Sequence, residues 1–147
     1  MKILVQRTGM AKVIVDGKSV GEINKGLLLY VCLEKEDTKE IILEAAEKVA
    51  KLRIFEDEAG KMNHNISQSG GKILSVSQFT LSWDGRKGHR PSFDQSMPPQ
   101  EARLMYALFN QRLKEFGIDV ETGRFGADMQ VTSLNDGPVT FHLSFGA

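Results

Sequence analysis

The stretch GLLLYVCLE, residues 26–34, is apolar at every position from Leu27 to Leu33. A strand with one wet face alternates apolar and polar residues, so an unbroken run of this length reads as a strand covered on both faces. Upstream of it, KILVQRTGMAKVIVDGKSVGEI, residues 2–23, holds two β-rich runs around Asp16-Gly17, a dipeptide that readily takes the positive φ angles of a tight hairpin. Downstream, TKEIILEAAEKVAKLRIF places Ile41, Ile42, Ala45, Val49 and Leu52 at helical spacing, with Asp37 or Thr38 available as the cap. The segment EDEAGKMNHNISQSGG is polar and turn-rich, KILSVSQFTL resumes strand character, and SWDGRKGHRPSFDQSMPP is a long loop. After Pro98-Pro99, QEARLMYALFNQRLKEFG reads as a second amphipathic helix stopped by Gly117. MQVTSL and VTFHLSF are two closing strands separated by NDGP. Strands outnumber helices without regular βαβ alternation, which predicts one α+β domain over residues 1–147: a curled, barrel-like mixed sheet with two amphipathic helices.

At 147 residues and 41% hydrophobic content, the chain is long enough for one domain with a real core. Lys+Arg and Asp+Glu both number 19, so no global positive field draws the protein onto nucleic acid, and any contact with RNA has to come from a local patch. The lone Cys32 lies inside the apolar run and reads as a buried, inert thiol; one cysteine makes no internal disulfide. No apolar run approaches membrane-spanning length, and the alternating start does not resemble a signal peptide. The expectation is a soluble cytoplasmic protein with no membrane partner.

Two short motifs stand out. SVSQFTL, residues 75–81, ends a strand and opens into the long loop. In a regular strand Gln78 and Thr80 face one side while Ser77 and Phe79 face the other, so one face cannot bury all the polar groups. Either the strand end is frayed and its hydroxyls bond nearby backbone, or the segment is a polar pocket whose hydroxyls and N–H groups hold a developing oxyanion. NDGPVTF, residues 135–141, puts Gly137-Pro138 directly before a strand. It serves equally as an ordinary turn or as rigid backbone pressed against a ligand.

The two motifs together, SQFTL followed about sixty residues later by NDGPVTF, resemble the signatures of the D-aminoacyl-tRNA deacylases, also called the D-tyrosyl-tRNA(Tyr) deacylase family. ILVQR, VDG, GLLLYV, KLRIFEDEAGKMN, RPSF and TGRFGADMQV lie in the family's order along nearly the whole chain. Ser77, Gln78 and Asn135 follow the D-specific branch, whereas a sister family of tRNA deacylases replaces the serine and alters the second motif. His142 stands where relatives often carry a bulky apolar residue.

The resemblance implies a β-barrel-like homodimer that hydrolyses the ester between a D-amino acid, or glycine mischarged on tRNA(Ala), and the terminal adenosine of tRNA. By the same resemblance, Ser77, Gln78, Phe79 and Thr80 form the catalytic segment, with no metal and no cofactor. A cis Gly137-Pro138 bond reaches into the partner subunit's pocket and rejects L substrates, Arg7 tethers that loop, and Asn135, Phe125 and Met129 complete the substrate-binding set.

Thr80 resembles a residue once assigned as nucleophile, but an unperturbed hydroxyl needs an adjacent base, and no Ser/His/Asp spacing supplies one. His64 and His89 fall in loops, and His142 sits on a strand. Water attack assisted by the 2′-hydroxyl of the terminal ribose is therefore preferred, with the protein supplying position and electrostatics. In DGRKGHR, Arg86, Lys87 and Arg90 form a candidate phosphate contact that weighs equally with a merely solvated loop. Two other functions stay open: a threonine or serine esterase, which needs a histidine beside Thr80 or Ser77, and a non-enzymatic RNA-binding barrel, which needs a basic aromatic face that 7% aromatic content hardly supplies.

Overall fold

Asp16 and Gly17 both take positive φ, 50° and 76°, and fold β1 (Lys2–Val15) back onto β2 (Lys18–Ile23), as the Asp-Gly dipeptide predicts. The computed structural model describes residues 1–146. After β2 the chain continues along β1 as β3 (Gly26–Cys32), antiparallel to it, so that β3 pairs with Lys2–Thr8 of β1 and β2 with its Ala11–Val15. β6 (Lys72–Ser77) lies parallel to β3, and β7 (Val120–Thr122) parallel to β6. The long β8 (Gln130–Ser144) also pairs with β1, antiparallel.

β3 is buried on both faces, as its unbroken apolar run requires. Leu27, Leu29 and Val31 join Ile3 and Val5 in a core closed by Ile42, Ala45 and Val49 of α1 (Lys39–Lys51) and by Tyr106, Phe109 and Leu113 of α3 (Pro99–Glu115). Leu28 belongs to a second core with Leu74 and Val76, covered by Ala11, Val13 and Val15 of β1 and Ile23 of β2. The sheet thus curls over its own second face and comes close to being a barrel. Gly21 is required at the seam: a Cβ there would lie 2.4 Å from the Thr122 carbonyl, so β2 passes directly against β7.

Both predicted helices form. The Thr38 hydroxyl accepts from the Ile41 N–H at 3.3 Å and starts α1; Pro99 opens α3, and Gly117 follows its end at φ 81°. A third, single-turn helix departs from the expected pair. α2 (Ile66–Ser69) lies in the polar segment, held by a capping box between Asn65 and Gln68 and preceded by a short hairpin, β4 (Phe55–Glu56) with β5 (Met62–His64). One turn is too short to print a helical period in the sequence; its local signal is the Asn65…Gln68 spacing.

Two strand boundaries also differ from expectation. β6 stops at Ser77 rather than running to Leu81, because its partner β3 ends. The Val31 carbonyl accepts the Gln78 N–H at 2.8 Å, and the chain then tightens into a 3-10 turn, Phe79–Ser82. MQVTSL and VTFHLSF are not separate strands but one, β8, with a large bulge. Thr140 faces Gln6 and Asn135 faces Thr8, so residues 136–139 stand opposite Arg7 alone. No helix among the described residues is long and apolar enough to cross a membrane.

Candidate active site

The turn that ends β6 forms a ridge between two cavities. One, of about 380 Å³, is walled by Val31, Leu33, Phe93, Met97, Pro98 and Phe125, with Ser77, Gln78 and Phe79 on its near side. The other, of about 230 Å³, shares Ser77, Gln78 and Phe79 and is closed by Val76, Met129 and Val131. Phe79 is 58% exposed and meets Phe93 edge-on, ring centroids 5.0 Å apart. Its carbonyl accepts from Ser96 Oγ at 3.2 Å, and Ser96 Oγ lies 2.8 Å from Ser82 Oγ, which pins the turn to the loop that follows.

Within the turn, Leu81 N–H bonds the Gln78 carbonyl and Trp83 N–H bonds the Thr80 carbonyl. Among the described residues, the N–H groups of Phe79 and Thr80 have no backbone acceptor, and no side chain caps the turn. Two adjacent donors are therefore unpaired at the end of the strand, and unpaired N–H groups can meet a developing negative charge. The Thr80 hydroxyl accepts from Gln78 Nε2 at 2.5 Å. An amide donor orients a hydroxyl but cannot take its proton, and none of the three histidines forms a hydrogen bond to Thr80 or Ser77 among the described residues.

Phe125 and Met129 wall different cavities. Phe125 is held between the Arg103 guanidinium, 4.9 Å above its ring, and Tyr106, whose ring centre is 5.9 Å away. The Tyr106 hydroxyl donates to the Ser75 carbonyl at 2.7 Å; burial raises its pKa, which keeps it a neutral donor. Phe93, Ser96, Met97 and Pro98 carried no predicted role although they supply four of the thirteen residues that line the larger cavity. Their signal was only the short RPSF match and the Pro98-Pro99 pair.

The second motif forms its own cluster. Gly137-Pro138 is a cis peptide at the crest of the β8 bulge. Asn135 Oδ1 accepts the Val139 N–H and Asn135 Nδ2 donates to Thr140 Oγ1, both at 2.9 Å, so this amide braces the bulge from within. Arg7 is buried beneath it, donating from Nε to the Asp136 carbonyl at 3.1 Å and from Nη1 to the Ile54 carbonyl at 2.8 Å. A Cβ on Gly137, at φ 140°, would come within 2.5 Å of the Val139 side chain.

The fold does not bring the two motifs together within one chain. Ser77 pairs with Val31, Val31 with Ile3, and the bulge lies at Arg7. That is three strand spacings across and four residues along β1, on the order of 20 Å. Among the described residues, no group of three or more His, Cys, Asp and Glu side chains is gathered to hold a metal ion.

The D-Tyr-tRNA(Tyr) deacylase family model matches residues 4–144, and so takes in nearly all of β1, both motifs and the whole of β8. The chain belongs to that family. It is 55% identical over 140 residues to the D-aminoacyl-tRNA deacylase of Brevibacillus brevis, covering 95% of this chain and 97% of that one. A solved structure described as the c-Myc DNA Unwinding Element Binding Protein superposes with a TM-score of 0.94 at 37% identity over 100% of both chains. A probable eukaryotic D-amino acid tRNA deacylase shares the fold at a TM-score of 0.82 and 17% identity, covering 97% of this chain and 98% of its own. Membership in the family makes the chain an enzyme, a hydrolase of the deacylase class.

Proposed function

We propose that the chain hydrolyses the ester that joins a D-amino acid to the terminal adenosine of tRNA, releasing the free amino acid and the tRNA. The observation that carries this reading is the ridge Ser77–Phe79 between two cavities, with the unpaired N–H groups of Phe79 and Thr80 at its end. The larger, aromatic-walled cavity accepts the adenosine, and the smaller one accepts the aminoacyl end. The ester carbonyl then lies over the ridge, where the N–H groups of Phe79 and Thr80 meet the oxyanion of the tetrahedral intermediate. Water is the attacking group. The neighbouring 2′-hydroxyl of the ribose relays its proton, and the 3′-oxygen of the ribose leaves with a proton.

Chirality is set by main chain from a second copy. An obligate homodimer brings Gly137 and Pro138 of one protomer to the Ser77–Thr80 ridge of the other. Two observations support this: the separation of the two motifs within one chain, and the exposure of β8. β8 pairs only with β1 among the described residues, is 15 residues long, and exposes Leu134 (60%) and Phe141, an edge that soluble proteins cover. Against a rigid backbone wall, a D residue points its side chain away while an L residue drives its Cβ into main chain. Glycine, lacking a Cβ, passes, which extends the activity to glycine mischarged on tRNA(Ala). The site serves proofreading of translation in the cytoplasm. Comparing deacylation of D-tyrosyl-, glycyl- and L-tyrosyl-tRNA tests the reading. Hydrolysis of the first two with sparing of the third is expected; equal hydrolysis of both enantiomers would rule out the chirality filter.

A further inference from the structure

The loop 83–91 is used neither by the core nor by the reading above. It carries Arg86, Lys87 and Arg90 against Asp84 alone, an excess of two positive charges in nine residues of a chain whose formal charge is zero. All four side chains belong to exposed residues, and Arg86 is 86% exposed even with Asp84 3.5 Å away. Lys87 and Arg90 make no ion pair among the described residues. The side-chain bond within the loop, Arg86 N–H to Asp84 Oδ1 at 2.9 Å, shapes its tip and ties it to nothing else.

Both ends of this basic loop, by contrast, are fixed to the cavity wall. It leaves beside Ser82, whose hydroxyl meets Ser96, and returns at Phe93, which packs on Phe79. Beyond it, Met97 N–H bonds the Leu33 carbonyl and Lys35 N–H the Gln95 carbonyl. The exposed basic loop is therefore rooted at both ends in the wall of the aromatic cavity. A cluster of three cations held beside an aromatic pocket, outnumbering its one internal anion, matches single-stranded nucleic acid: a stacked base inside and phosphates outside.

We propose that Arg86, Lys87 and Arg90 bind the backbone phosphates of the acceptor strand next to the terminal adenosine. The inference rests on the reading that the adenosine occupies the larger cavity. The loop sets affinity for the tRNA and leaves the chemistry at the ridge alone, since it contributes no group to the Gln78–Thr80 turn.

The test compares the wild-type protein with the triple variant Arg86→Ala/Lys87→Ala/Arg90→Ala in two measurements. The first is binding of an uncharged acceptor minihelix with a single-stranded 3′ end, titrated against salt. Each phosphate contact to a single strand adds about 0.7 to the slope of log affinity against log salt, so the variant should bind about tenfold more weakly and lose about 2 from the slope. Arg86→Lys/Arg90→Lys should keep the slope. The second is hydrolysis of D-tyrosyl-adenosine, which has no phosphate and should be cleaved equally by both proteins. Unchanged minihelix affinity and slope overturn the proposal. So does an equal loss on D-tyrosyl-adenosine, which would mean that the loop shapes the cavity. A wild type that binds the minihelix through these residues but cleaves no ester overturns the reading of the reaction instead and leaves the phosphate contact standing.

Discussion

Arg7 donates to the carbonyl oxygen of Asp136 at 3.1 Å, and this bond fixes the residue just before Gly137 to the strand beneath it. The second donation of the same guanidinium, to the Ile54 carbonyl at 2.8 Å, spans from the bulge to the chain leaving α1. Arg7→Ala leaves both carbonyls without their charged donor, a loss of about 1–3 kcal/mol, and frees the crest of the bulge. The expected outcome is a fall in the ratio of kcat/KM for D- over L-tyrosyl-tRNA of about tenfold or more. Arg7→Lys should not restore it, because a point donor cannot reach both carbonyls in the guanidinium's fork geometry. An unchanged ratio in the alanine variant would show that the bulge needs no tether.

Thr80→Ala removes a hydroxyl whose partner is an amide donor, and should retain activity within about tenfold. A substrate ending in 2′-deoxyadenosine should instead react slower by orders of magnitude. Were Thr80 the nucleophile, its removal would cost several powers of ten, as losses of catalytic nucleophiles do, and an acyl-Thr80 adduct would be trapped by rapid quench.

Sedimentation of the purified protein should find dimers at micromolar concentration, because the exposed β8 edge and the separated motifs both call for a second copy. A fully active monomer would sink the shared-pocket reading.

Asp37 anchors the start of the chain. The Met1 ammonium, fully buried, donates to Asp37 Oδ1 at 2.5 Å, to Glu34 Oε2 at 2.9 Å and to the Phe145 carbonyl at 3.2 Å. Asp37 Oδ2 also accepts the Glu34 N–H at 2.7 Å. Breaking a buried ion pair from one side costs about 3–5 kcal/mol, so Asp37→Ala should lower stability by that much in urea unfolding, and Asp37→Asn by less. A loss under about 1 kcal/mol would show that Glu34 suffices.

Burial, reinforced by the charge of Glu34, pushes the Cys32 thiol from its ordinary 9.0 up to about 11. The folded protein holds this proton over a range in which the unfolded chain releases it. The stabilisation is therefore complete below pH 9 and is lost as the pH rises toward 11. Wild type and Cys32→Ala should converge in stability across that interval, and the native thiol should resist maleimide at pH 8. Parallel stability curves for the two proteins from pH 8 to 11 would contradict the raised pKa.

The elements that were legible in the sequence are those whose causes lie within a few residues. Asp16-Gly17 supplies its own turn, Thr38 its own cap, and the apolar run of β3 states that both its faces are covered. The motifs SQFTL and NDGPVTF were likewise legible as a pair through their resemblance to a family. Where each lies was not, because the causes are distant. β6 ends at Ser77 because β3, some forty-five residues earlier, ends at Cys32, and that loss of a partner leaves the Phe79 and Thr80 N–H groups without a ladder acceptor. The β8 bulge exists because residues 136–139 must be accommodated opposite the single Arg7. The wall of the larger cavity joins Phe93 and Pro98 to Val31 and Phe125, residues that only the curl of the sheet brings into one space. Local spacing sets strands, helices and turns; the tertiary structure decided which backbone donors stay free and what faces them.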